Sequence, residues 1–93
     1  MSEQTDDTFY DRADAHIELA NAQCAEAGQG KVSASFLYGA ARFNTFIAAI
    51  NVGSGEAMRT RRAEIIEQYT AEYRRMLEHH FSDYIENYDD YLK

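Results

Sequence analysis

The sequence predicts an all-α fold: a three-helix up-down-up bundle with a long third helix. Three observations predict it. Apolar residues recur at three- and four-residue intervals over three long stretches, with no strand-like alternation between them. Two glycine-containing breaks, GQG at 28–30 and NVGSG at 51–55, separate those stretches. The chain also has no proline, the usual breaker of helix interiors. Its 93 residues suit one domain. We read residues 1–6 as a flexible N-terminus and 7–93 as a single helical domain.

The first helix is expected from about Asp7 to Ala27. Phe9, Ala13, Ile17, Ala20, Cys24 and Ala27 form one apolar stripe. Asp6 or Asp7 can cap its start, and glycine at the GQG break ends it by taking a left-handed C-cap conformation at little cost. The second helix is expected from Val32 or Ser33 to Asn51. Its main stripe is Val32, Phe36, Ala40, Phe43, Ile47 and Ile50, flanked by Leu37 and Phe46. So wide an apolar surface suits a central helix. Gly53 can end it and Ser54 can cap the third helix, which starts near Glu56. Met58, Ile65, Ile66, Tyr69, Tyr73, Met76 and Leu77 line one face of that helix.

Charge supplies an orientation argument. Asp7, Asp11, Asp14 and Glu18 share one edge of the first helix, while Arg59, Arg61 and Arg62 sit at the start of the third. Both placements are unfavourable alone, through like-charge neighbours and through the helix dipole. In an up-down-up bundle the acidic start lies beside the basic start.

The C-terminal segment outruns the rest. Helical periodicity continues from Glu56 to Leu92, roughly 55 Å, against roughly 30 Å for each of the first two helices. After His80 the stripe passes to Phe81, Ile85, Tyr88 and Leu92, about a quarter turn round. Ser82 and Asp83 can cap a new helix there. Two geometries follow. A kink near residues 80–83 folds the tail across the bundle, or the helix continues and its apolar side takes a second chain. Left bare, Phe81, Tyr84, Ile85, Tyr88 and Leu92 make a larger apolar patch than monomers usually expose.

The net charge of −7 argues against nucleic acid, whose binding needs clustered Lys and Arg. No apolar run approaches a membrane span. The polar N-terminus does not read as a signal peptide, and one cysteine, Cys24, forms no internal disulfide. A cytoplasmic protein is the expectation.

No catalytic constellation, cofactor motif or metal motif stands out. His79 and Asp83 have a usable two-ligand spacing, but His79 and His80 point about 100° apart on a helix and His16 lies elsewhere in sequence. Structural or solvent-exposed histidines are the better account. The acidic edge of the first helix lacks the loop that calcium sites favour. GSG followed by MRTRR lacks the lysine and spacing of a phosphate loop. Cys24 falls on an apolar stripe, as a small core residue would. Tyr38 and Arg42 share the side of the second helix away from its main stripe, among Ala34, Thr45 and Ala49. They read either as structural partners, with Arg42 paired to an acid, or as a shallow docking surface. Asn44 reads as a residue that fixes packing register.

The expected function is therefore a protein–protein interaction module or homodimer with no catalysis. Its partner-binding residues would be Tyr38, Arg42, Phe81, Tyr84, Ile85 and Tyr88. The alternative is a metal- or small-ligand-binding protein using histidine and carboxylate side chains. Another possibility is an acidic regulator that sequesters a basic protein.

Three stretches carry a family resemblance: TFYDRADAHIELAN, KVSASFLYGAARFNTF and YRRMLEHHFSDYIENYDDYL. They resemble a family of short bacterial proteins known as domain of unknown function 3144, over nearly the whole chain. The resemblance implies a bacterial cytoplasmic protein and supplies no catalytic residues.

Overall fold

The structure is a computed structural model that describes residues 6–92. The N-terminal segment expected to be flexible therefore lies outside the described residues except for Asp6. The fold is all-α. It has three main helices, α1 (Phe9–Ala27), α2 (Gln29–Val52) and α3 (Gly55–Glu86), followed by a short α4 (Tyr88–Leu92). The chain forms two compact units, one holding α1 and α2 and the other α3 and α4.

In the first unit α1 and α2 pack on one another. Asp6 organises the start of α1. Its carboxylate accepts a hydrogen bond from the Thr8 backbone N–H at 2.9 Å and from the Thr8 hydroxyl at 3.0 Å. Arg12 reaches back one turn and donates to the same carboxylate at 3.1 Å. These bonds, that of Arg12 first, hold the Asp6 carboxyl down at about 2. Of the two expected caps, Asp6 makes this turn, and α1 begins at Phe9 rather than Asp7.

Phe9, Ala13, Ala20 and Cys24 are half-buried on α1, at the spacing of one helix face. Ile17, expected on the same stripe, stays exposed. Gly28 alone separates α1 from α2. Its φ of 92° and ψ of 154° belong to a region that only glycine occupies cheaply. Gly30, expected in the break, is instead in the first turn of α2, so α2 starts three to four residues earlier than Val32 or Ser33. Val32, one turn beyond Gly28, is the only buried hydrophobic side chain among the described residues. Phe36, Phe43 and Ile50 of the expected α2 stripe are exposed. The C-terminal end of α2 is as expected. Gly53 is left-handed, with φ 91°, and its N–H donates to the Ala49 carbonyl at 3.0 Å.

The second unit is dominated by α3. Its 32 residues span about 48 Å, against about 28 Å for the 19 of α1 and 36 Å for the 24 of α2. Of the two geometries the sequence left open, α3 takes the continuing one through residues 80–83. Ser82 and Asp83 lie inside α3, and the helix breaks at Asn87. Arginines 59, 61, 74 and 75 each pair with a glutamate of α3 itself: Glu56, Glu64, Glu78 and Glu72. The unfavourable cations at the start of α3 thus find partial compensation within their own helix.

The glycine geometry separates two kinds of site. Gly28→Ala is expected to lower unfolding stability by about 1–3 kcal/mol, because its conformation penalises a side chain. Gly39 is helical with open space where a Cβ would stand. Gly39→Ala is expected to raise stability by roughly 0.5–1 kcal/mol. Denaturant unfolding of the two variants reads both signs.

Candidate functional site

Three features carry chemistry beyond the helices themselves. The first is on α2. Tyr38, Ala41, Arg42, Thr45 and Phe46 line a shallow, open hollow. Residues 38, 42, 45 and 46 share a face through the i, i+4, i+7, i+8 spacing. Tyr38 is 70% exposed. The Thr45 hydroxyl turns back to its own helix and donates to the Ala41 carbonyl at 2.8 Å. Tyr38 and Arg42, paired by sequence reasoning, thus do share a surface, with a phenol and a guanidinium beside an aromatic ring. Asn44 lies off this hollow and is half-buried.

The second feature is a ridge on α3. Ile66, Tyr73, Leu77 and Tyr84 lie within about 40° of one another at 100° per residue. All four are exposed. Met76 flanks the ridge, as does Phe81, and Phe81 also helps line a groove with Thr70, Ala71, Tyr73, Arg74 and Leu77. Because α3 is continuous, Tyr84 stays in line with Ile66 and Tyr73. Ile85 is 73% exposed and faces about 100° away from Tyr84. Tyr88 lies beyond the break, exposed, at the start of α4.

The third feature, which the sequence reading missed, is a clasp at the C-terminal end. The Asn87 side-chain amide donates to the Asp83 carbonyl at 3.1 Å and to Asp83 Oδ1 at 2.9 Å. The Tyr91 hydroxyl donates to Asp83 Oδ2 at 2.7 Å. The Tyr91 ring stacks on Tyr84, with centroids 4.2 Å apart and planes within 15° of parallel. Asp83 is therefore an anchor for the turn, where the sequence suggested a cap. Both its side-chain oxygens are engaged by the tail. The signal was the spacing of Asp83, Asn87 and Tyr91 at i, i+4 and i+8, one face of a helix that then turns.

The clasp shifts both of its titratable groups. The Tyr91 hydroxyl, then the Asn87 amide, hold the Asp83 carboxyl below its ordinary range, and His79 and His80 act in the same direction. Asp83 in turn pushes the Tyr91 hydroxyl up. The His79 and His80 rings meet edge-on at 5.3 Å. Cys24 is a free, half-buried thiol on α1. Among the described residues no three His, Cys, Asp or Glu side chains gather as a metal site would require. No helix among them is long and apolar enough to cross a membrane.

A family model described as "Protein of unknown function (DUF3144)" matches residues 9–85, most of the chain. The chain belongs to that family. The DUF3144 match takes in α1, α2 and the α3 ridge and ends just before the Asn87 turn, so Asn87 and Tyr91 lie beyond it. Among curated proteins and among solved structures, nothing matches the chain.

The clasp has a defined pH window. Asp83 is lowered from 3.8, so its contribution is full above that value and is lost as pH falls through the lowered one. Tyr91 is raised from 10.0, so its contribution is full below that value and is lost as pH rises through the raised one. Tyr91→Phe is expected to move the Asp83 titration up toward its ordinary value while leaving Asp6 in place. Carboxyl carbon NMR across an acid titration checks this, and an unmoved Asp83 would contradict the clasp.

Proposed function

We propose that this protein is a small acidic cytoplasmic interaction module. It has no catalysis of its own, and it works by burying apolar helix faces against another polypeptide chain. The observation that carries this reading is the exposure of the α3 ridge and its flank. Ile66, Tyr73, Met76, Leu77, Phe81 and Tyr84 are between 41% and 62% exposed. A contiguous apolar patch of that kind is a mark of an interaction surface.

The α2 hollow supports a second contact area. Tyr and Arg are the residue types that most often dominate binding energy, and Tyr38, Arg42 and Phe46 stand together there. Partner recognition would rest on Tyr38 and Arg42 at the hollow, on Phe81 and Tyr84 beside the groove, and on Ile85 and Tyr88 at the tail.

The experiment is site-specific photocrosslinking in cells, with a benzophenone amino acid in place of Tyr38, Phe81 or Ile85 in turn. Adducts heavier than one chain are expected from positions 38 and 81. An adduct from position 85 would extend the contact to the far side of the helix. Loss of adducts at both 38 and 81 would contradict the proposal.

A further inference from the structure

We infer that the α3 ridge is covered by a second copy of this chain, with the two α3 helices antiparallel. The inference rests on the interaction reading above and names its partner.

Two observations select that occupant. The first is charge. Residues 55–75 carry five arginines and four glutamates, a net of +1. Residues 76–92 carry five acids, Glu78, Asp83, Glu86, Asp89 and Asp90, and no Lys or Arg, a net of −5. A parallel pair of α3 helices sets the two −5 segments side by side. An antiparallel pair sets each against the arginine-bearing half of the other copy. The cations nearest the ridge are Arg59 and Arg62, within about 60° of it. The Arg59 ion pair with Glu56 is about three-quarters exposed on both sides, so exchanging it for another carboxylate costs little.

The second observation is the ridge itself, which is self-complementary in register. Ile66, Tyr73, Leu77 and Tyr84 are symmetric about residue 75. In an antiparallel pair centred there, Ile66 of one copy meets Tyr84 of the other, and Tyr73 meets Leu77. Arg59 and Arg62 then lie toward the end of the other copy's α3, from which α4 with Asp89 and Asp90 follows. This is the arrangement a two-fold axis imposes, one patch meeting itself. The area suffices. Six side chains about half exposed, at roughly 200 Å² each, amount to roughly 600 Å² per chain. Two chains then bury about 1,200 Å², the lower bound of specific interfaces. The clasp contributes by fixing one end of the seam, because stacking on Tyr91 holds the Tyr84 ring in place.

Three measurements on the full chain test the pairing. Sedimentation over about a hundredfold dilution is expected to show two-chain mass at the top of the range, falling toward one chain by mass action. Spin labels on Glu56→Cys, in a Cys24→Ser background, are expected to lie roughly 55 Å apart in the dimer. Charge reversal tests register without touching the apolar seam. Arg59→Glu with Arg62→Glu is expected to weaken self-association at least tenfold, and so is Asp89→Lys with Asp90→Lys. Mixing the two doubly substituted chains is expected to restore pairing.

One-chain mass at every concentration overturns the inference. So does a short label separation of roughly 10–15 Å, the value for parallel helices, or a charge-reversed mixture that fails to pair. Crosslinked adducts to a different polypeptide alongside one-chain mass would leave the interaction reading standing while removing self-pairing.

Discussion

A helix in water gains most of its stability from what lies against its apolar face. In the unit formed by α3 and α4, the element available to α3 is the five-residue α4, which packs at its C-terminal end. That constraint governs the rest. Thirty-two residues of helix present a ridge of rings and branched side chains over several turns. Surface ion pairs along α3 add only about 0–1 kcal/mol each. A fully buried Leu or Phe side chain is worth about 1.5–3 kcal/mol. The ridge therefore outweighs the charges as a source of stability, provided something covers it.

The tail shows how a short sequence can finish a long helix without proline or glycine. Asn87 ends α3 by donating its amide to Asp83, and Tyr91 then reaches the other oxygen of the same carboxylate. The stack of Tyr91 on Tyr84 ties this polar turn to the ridge. Asp6, Thr8 and Arg12 do related work at the start of α1. In both places one carboxylate accepts several hydrogen bonds, and in both its carboxyl is held below the ordinary range.

The helices and their glycine breaks were legible because those signals are local. A 3.6-residue period marks α1, α2 and α3, and left-handed geometry at Gly53 is what a helix C-cap glycine is for. Gly30 misled because a glycine in a first helical turn looks the same in sequence as one in a connection. The break at Asn87 was hidden for a different reason. It depends on side-chain bonds from Asp83 to residues four and eight positions later, and Asp83 read alone looks like a cap. That Tyr38 and Arg42 share a surface was legible because helical spacing alone brings them together. The α3 ridge was only half seen. A shift of the stripe toward Ile85 was expected, whereas the unbroken helix keeps Tyr84 in line with Leu77 and Tyr73.

The proposal on which the most rests is that a second chain covers the apolar ridge of α3. Amide hydrogen exchange over residues 66–84, followed as the protein is diluted, tests it most directly. Strong protection is expected at high concentration and a steady loss of protection on dilution, with the amides of α1 and α2 less affected. Protection of α3 that stays the same at every concentration would contradict it.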